Sequence, residues 1–362
     1  MRSPLLLLAL LVLAVAWAGS AAADPSSPLY LALGDSLAAG VGASEPAQSG
    51  YVGLVFDALR TEPSSPYREA DLALLNLGDP GETTTSMLTS GGQMEKALAE
   101  IESRKDDGVE GNEVAVITID IGANDFIPLV VGESPCLPNP LADACLEAAT
   151  SALATFRSNF TDIMRRLRAA AGPEAEIVAS GLYNPVSGTG GPLDSAGDAA
   201  VELFNSTVAA AATDRDIQAT FADVFILFDG RGPELTHIAE MPPDVHPNDS
   251  GHYLMARAVV TALGLPADAV ATPPSGAPAL RNPTPSTRPP DVLPTASPTP
   301  TRPPTSVPTV SPTASSTPLP AAWRRNGDDD TPWAVYIGLV AGGVVVVGTG
   351  LLVLARRRST RG

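Results

Sequence analysis

The sequence is poor in positive charge. It holds 22 Lys and Arg residues against 40 Asp and Glu residues, a formal net charge of −18 at pH 7. Proteins that bind DNA or RNA neutralise phosphates with basic side chains, so this balance argues against a nucleic-acid partner. Histidine is also scarce, with three in the chain, and there are two cysteines. Two cysteines without clustered histidines do not form a zinc site, and we expect no cofactor.

Residues 1–23 are typical of a secretory signal peptide. Arg2 precedes a short apolar run, and small residues up to Ala23 provide a cleavage site. An uncleaved N-terminal anchor is the alternative, but the apolar run is short for a full membrane span. Outside the cytoplasm, the two cysteines, Cys136 and Cys145, favour a disulfide over two free thiols.

A low-complexity segment and then an apolar segment follow the predicted domain. Residues 269–332 form a stalk rich in Pro, Ser and Thr, and 271–320 alone hold 16 of the chain's 36 prolines. Such a composition cannot bury a core and favours extended polyproline geometry. The next 23 residues, 333–355, carry no charge and are long enough for one membrane-spanning helix. The Arg-rich tail at 356–362 predicts a cytoplasmic C terminus, and hence a single-pass cell-membrane protein with its domain outside.

Residues 24–268 alternate short apolar runs with helical patterns. The apolar runs predict five buried strands, at Leu29 to Gly34, Leu72 to Leu77, Val114 to Ile121, Glu176 to Leu182 and Thr220 to Phe228. The segments between and after them predict helices at Tyr51 to Leu59, Leu146 to Ala171, Ala196 to Ala212 and Gly251 to Leu263. This alternation predicts an α/β fold, a three-layer sandwich around a mainly parallel five-stranded sheet.

Ser36 follows the first predicted strand, and His246 precedes the last predicted helix. Ligands of such a fold bind at the carboxyl ends of the strands, where Ser36 lies. A serine hydroxyl is a poor nucleophile until a base takes its proton, and histidine titrates near neutral pH. His246 is therefore the candidate base for Ser36, whose alternative role is to cap a helix. The surroundings of His237 and the helical position of His252 indicate structural or exposed histidines.

Two further strand ends offer groups that can hold a developing oxyanion. Gly81, in a polar turn after the second strand, lets the backbone come close to a ligand and offer its N–H. Asn124, in the run Gly-Ala-Asn-Asp after the third strand, carries an amide donor, and Asp125 can hold the loop by bonding backbone N–H groups. Taken alone, each segment is equally consistent with an ordinary turn.

Together, the four segments resemble the sequence blocks of the SGNH (GDSL-type) hydrolase family. The resemblance runs from the first strand to the last helix and rests on Gly-Asp-Ser-Leu at 34–37, Gly81, Gly-Ala-Asn-Asp at 122–125 and Asp-Val-His-Pro-Asn at 244–248. It implies a flavodoxin-like fold, ester hydrolysis through an acyl-enzyme, and no metal. It also implies that Ser36 is the nucleophile and His246 is the base. The oxyanion donors that it implies are the Ser36 N–H, the Gly81 N–H and the Asn124 side chain.

The last block departs from the family's usual pattern. Family members end in D-x-x-H, whereas position 243 here is Pro and Asp244 lies only two residues before His246. Asp244 can still reach the imidazole, and the sequence favours it as the third catalytic residue. The alternative is that the Pro243 carbonyl accepts the imidazole N–H.

These features predict a cell-surface serine esterase that hydrolyses acyl or acetyl esters. The expected substrate is a small-molecule ester, a lipid or an acylated glycan, and the residue types do not distinguish among these three classes. The alternative is a catalytically inactive surface module that binds wall glycans or protein, because the stalk, the membrane segment and the acidic domain suit both classes.

Overall fold

The structure is a computed structural model, and it describes residues 26–105, 107–129, 134–136, 142–190 and 192–272. The predicted signal peptide, the stalk beyond residue 272, the membrane segment at 333–355 and the basic tail lie outside these ranges. None of the helices within the ranges combines the length and the apolar character that crossing a bilayer requires.

One parallel sheet of five strands forms the centre of the domain. The strands are β1 (Leu29–Gly34), β2 (Ala73–Asn76), β3 (Val114–Asp120), β4 (Glu176–Ser180) and β5 (Thr220–Ala222). They lie in the order β2-β1-β3-β4-β5, and every pair is parallel. This is the strand order of flavodoxin-like folds, so the predicted α/β sandwich with a five-stranded parallel sheet is confirmed.

Five long helices cover the two faces of the sheet. They are α1 (Tyr51–Thr61), α2 (Gln93–Arg104), α3 (Asp143–Ala171), α4 (Pro192–Ala212) and α5 (Asp249–Ala262). Short helical turns occupy Pro46–Ser49, Thr84–Met87, Ala123–Asp125, Ile127–Leu129, Phe225–Phe228, Gly232–Leu235 and Ala267–Ala269. Side chains alternate along β1, so that Tyr30 packs with α1 and α5 while Leu31 packs with α2, α3 and α4. The sheet is therefore buried on both faces, as the uninterrupted apolar runs predict.

The prediction that the fifth strand extends to Phe228 is wrong. The strand ends at Ala222, and Phe225–Phe228 form a helical turn. Val224 and Phe228 are fully buried, whereas Ile226 between them is 51% exposed. A strand would place all three on one face, while a helical turn buries residues four apart, so the pattern of burial explains the difference.

The two cysteines form the predicted disulfide. Cys136 and Cys145 are joined, with their Cα atoms 4.6 Å apart, and both are buried. Cys145 lies in the first turn of α3 and Cys136 precedes that helix. The bridge therefore fastens the segment before α3 to the start of the helix.

Candidate active site

Ser36 lies at the carboxyl end of β1, where the chain turns sharply. Gly34 has φ +147°, and a Cβ at this position would lie 2.3 Å from the carbonyl oxygen of Asp120. No larger residue fits there, because the contact is with backbone on the neighbouring strand. Asp35 and Leu37 are buried on either side, whereas Ser36 is partly exposed. The turn thus presents the Ser36 hydroxyl at the edge of the sheet.

His246 approaches Ser36 from the loop before α5. Its Nε2 lies 2.9 Å from the Ser36 Oγ. The loop can come this close because Gly42, with φ +93°, faces it: a Cβ there would lie 2.3 Å from the carbonyl oxygen of Pro247. The structure therefore brings together the two residues, 210 positions apart, that the sequence singles out as nucleophile and base.

A buried tyrosine supports the same loop. The Tyr183 hydroxyl donates a 2.9 Å hydrogen bond to the carbonyl of Val245, next to His246. The Tyr183 ring stacks on Phe228, with ring centroids 4.3 Å apart. This contact is not predictable from the sequence, because nothing near Tyr183 in the chain indicates a partner more than 60 residues away.

Asp244 is the hydrogen-bond partner of the other imidazole nitrogen. Its Oδ1 lies 2.6 Å from Nδ1 of His246 and also accepts the backbone N–H of His246 at 3.0 Å. Partial burial raises the pKa of Asp244, but the hydrogen bonds and positive charge of His246 outweigh it and hold the pKa below its ordinary value. In this geometry Nδ1 of the ring contacts the carboxylate of Asp244 rather than the carbonyl of Pro243.

The backbone N–H groups of Ser36 and Gly81 are without a protein partner in the described residues. Gly81 has φ +89°, and a Cβ built there would meet no atom within 4 Å. A glycine is thus required at position 81 by the backbone conformation rather than by crowding, and the Gly81 N–H is open to a ligand.

Asn124 connects the two segments that carry these N–H groups. Its amide nitrogen donates to the carbonyl of Glu82 at 2.9 Å and to the carboxylate of Asp35 at 3.2 Å. Both amide hydrogens have acceptors here, so donation to an oxyanion requires one of these bonds to be shared or exchanged. The neighbouring Asp125 accepts from the Thr84 N–H at 2.9 Å, which fastens the loop as predicted.

Two carboxyl groups lie buried behind the nucleophile. Asp35 and Asp120 are each 1% exposed. Burial raises the pKa of Asp35, and burial together with the charge of Asp35 raises the pKa of Asp120 well above its ordinary value. The Tyr51 hydroxyl donates to Asp120. Asp120 is not among the candidate residues predicted from the sequence, although an acidic residue in an apolar strand is a visible signal.

The remaining two histidines make structural contacts. His237 bonds the Gly42 carbonyl through Nε2 at 2.8 Å, and its Nδ1 lies 2.6 Å from Glu240. His252 is fully buried in α5, where Nδ1 accepts the Tyr51 N–H at 3.3 Å and Nε2 donates to the Val41 carbonyl. Because burial disfavours the charged ring, it lowers the pKa of His252 to about 4.

The low pKa of His252 makes the stability of the fold depend on pH. Below its ordinary pKa of 6.5, the unfolded chain binds a proton that the folded chain refuses until about pH 4. We expect the free energy of unfolding to lose up to about 3 kcal/mol from this group as the pH falls through that window. Urea unfolding of the wild type and of the His252→Gln variant, at pH 7 and at pH 4.5, measures this loss. The difference in the free energy of unfolding between wild type and variant should be smaller at pH 4.5 than at pH 7. An equal difference at both pH values would contradict the low pKa of His252.

This chain is similar to one protein family and to several solved structures. The family model described as the GDSL-like lipase/acylhydrolase family matches residues 32–254. No curated protein matches. Among solved structures, a lipase from a goat rumen metagenome is 22% identical, with a TM-score of 0.43, and the match covers 65% of this chain and 97% of that one. A catalytic mutant of an acetylxylan esterase from Geobacillus stearothermophilus is 18% identical, with a TM-score of 0.46, and the match covers 68% of this chain and 97% of that one.

The matched range contains all four sequence blocks, from the glycine before Ser36 to the asparagine after His246. It also spans more than half of the 362 residues. The resemblance predicted from the blocks is thereby confirmed, and so is the prediction of an ester-hydrolysing serine hydrolase. The chain belongs to the GDSL-like lipase/acylhydrolase family.

Proposed function

We propose that this protein is a cell-surface serine esterase that hydrolyses acyl or acetyl esters through an acyl-serine intermediate. The observation that carries the proposal is the continuous hydrogen-bonded line from the Ser36 hydroxyl through His246 to Asp244, with contacts of 2.9 and 2.6 Å. A hydroxyl, an imidazole and a carboxylate so arranged can activate an alcohol at neutral pH.

In the first half of the reaction, the Ser36 Oγ attacks the ester carbonyl carbon while Nε2 of His246 takes the hydroxyl proton. The carbonyl oxygen becomes an oxyanion that the N–H groups of Ser36 and Gly81 and the amide of Asn124 stabilise. When the intermediate collapses, His246 gives its proton to the departing alcohol. The acyl group is then bound to Ser36.

In the second half, a water molecule gives a proton to His246 and attacks the acyl-serine carbonyl. Collapse of the second oxyanion releases the carboxylic acid, and the proton on His246 returns to Ser36. The negative charge of Asp244 stabilises the imidazolium that forms in each half. The low pKa of Asp244 keeps this carboxylate ionised across the range in which His246 must act.

Space for the remainder of the substrate lies next to Asn124, one of the proposed oxyanion donors. An open depression of about 470 Å³ adjoins Asn124. Its walls combine hydroxyl-bearing and small apolar side chains, among them Thr83, Ser151, Thr155 and Ala152. The described lining residues include the carboxyl group of Asp125 and no Lys or Arg, so the lining suits a neutral ester group better than a bound anion.

The cell-surface location rests on the sequence. The signal peptide at 1–23, the stalk at 269–332, the span at 333–355 and the basic tail at 356–362 together indicate an exported domain on a membrane tether. Protease added to intact cells should therefore digest the domain of residues 24–268. Full protection of the domain until the cells are lysed would contradict this location.

Turnover of simple esters tests the proposed activity. We expect the protein to hydrolyse 4-nitrophenyl acetate with saturation kinetics, and a series of longer acyl chains to define its preference. The Ser36→Ala variant provides the background rate. No turnover of any ester above that background would reject the esterase and leave a binding module.

A further inference from the structure

A buried glutamine contacts the segment that carries the candidate nucleophile. Gln93 is the first residue of α2, and its side chain is 2% exposed. Its Oε1 accepts the N–H of Gly34 at 2.8 Å, and its Nε2 donates to the carbonyl of Gly34 at 2.8 Å. The amide thus pairs with both the N–H and the carbonyl of Gly34, as a neighbouring strand would. Gly34 lies two positions before Ser36.

The same amide also reaches the segment that carries the second N–H group. Nε2 of Gln93 donates to a carboxylate oxygen of Glu82 at 3.1 Å. Glu82 directly follows Gly81, and its backbone carbonyl accepts the amide of Asn124 at 2.9 Å. One buried side chain is therefore bonded to a residue two positions before Ser36 and to the residue that follows Gly81. The second of these residues also accepts the Asn124 amide through its carbonyl.

Packing alone does not account for an amide at this position. The neighbouring α2 residues Met94, Ala97 and Ile101 supply the apolar contacts between this helix and the sheet. A buried amide is costly unless its polar atoms are hydrogen-bonded, and here the partners belong to two separate loops. The contribution of Gln93 therefore lies in those bonds.

We propose that Gln93 is a positioning residue that fixes the separation between the N–H groups of Ser36 and Gly81. This inference rests on the proposed esterase function. An oxyanion in the transition state depends on donor placement more than the neutral carbonyl of the bound ester does. A shift of either donor consequently lowers kcat and leaves KM nearly unchanged.

The Gln93→Met variant tests the proposal, because methionine matches the length of glutamine without its hydrogen bonds. We expect kcat for 4-nitrophenyl acetate to fall by about 10- to 100-fold, with KM within about twofold of wild type. A trifluoromethyl ketone forms an adduct whose oxyanion occupies the same place as that of the ester. Its inhibition constant should rise by the same factor as kcat/KM falls.

Three variants separate positioning from a general loss of stability. Met94→Ala removes a buried side chain next to Gln93 and should lower the unfolding temperature while the folded enzyme keeps its kcat. Glu82→Met removes the acceptor of the Gln93 amide at a partly exposed site and should lower kcat more than Glu82→Gln, which keeps an oxygen acceptor. If Gln93→Met fails to fold, the comparison of Glu82→Met with Glu82→Gln still tests whether the hydrogen bond from Gln93 to Glu82 affects kcat.

Wild-type values of kcat and of the inhibition constant in Gln93→Met would overturn the inference while leaving the esterase proposal intact. A loss of kcat no larger than that of Met94→Ala, or equal activity of the two Glu82 variants, would overturn it as well. An inactive wild-type enzyme would instead reject the proposed function.

Discussion

Replacing Ser36 by alanine is expected to lower kcat for 4-nitrophenyl acetate by about 10⁴-fold or more. The variant retains the N–H groups that hold the oxyanion but has no alcohol to form the acyl intermediate. Water must then attack the ester directly, which gives up the advantage of an oriented nucleophile. Initial rates at saturating ester, measured against buffer alone, give the ratio.

The fold should tolerate this change. Within the described residues, the Ser36 hydroxyl makes one hydrogen bond, to the His246 ring, and the side chain is partly exposed. We expect the free energy of unfolding to change by no more than about 1 kcal/mol. Ser206→Ala is a matched control, because within the described residues that exposed hydroxyl bonds a single carbonyl, in its own helix. Substantial ester turnover by a folded Ser36→Ala enzyme would remove Ser36 from the mechanism.

Asp244→Asn is expected to lower kcat by about 10²- to 10⁴-fold, less than the loss of Ser36. Asparagine keeps the size of the side chain but removes the charge that stabilises the imidazolium, and its amide can present N–H₂ to the ring. The 48% exposure of Asp244 lets water replace part of the interaction, which places the expected loss towards the lower end of this range. Steady-state rates at a pH above neutrality measure the effect.

A second carboxylate in the same loop provides the control for Asp244. Glu240 contacts His237 at 2.6 Å in the way that Asp244 contacts His246, but it lies away from Ser36 in the hydrogen-bond network. Glu240→Gln should therefore leave kcat within about threefold of wild type. If Asp244→Asn were equally mild, the ring would be oriented by another acceptor, and the Pro243 carbonyl would again be the candidate.

The positions of Ser36 and His246 could be predicted because parallel strands end at one edge of a sheet. A strand, a Gly-Asp-Ser turn and a histidine before the last helix are local patterns, and the topology of the fold brings their ends together. Glycines such as Gly81 were also recognisable, since a positive φ requires them in the turn. The fold class followed from the alternation of apolar runs and helical patterns.

The supporting contacts were not predictable in the same way. Gln93 and Tyr183 contact partners on other elements, so no spacing in the chain reveals them. Asp120 differs, because an acidic residue at the end of an apolar strand is visible in the sequence. Helix α2 itself carried a signal that was missed: Met94, Ala97 and Ile101 recur at intervals of three and four residues and are buried. Its polar residues lower the mean hydropathy, which hides a short amphipathic helix among charged neighbours.

Covalent labelling by a fluorophosphonate is the most direct test that Ser36 is a nucleophile activated by His246. Peptide mapping by mass spectrometry should find one phosphonyl group per chain, on Ser36, with turnover lost in proportion. The His246→Ala variant should react far more slowly. An adduct on a different residue, or ester hydrolysis by a protein whose Ser36 stays unlabelled, would contradict the account.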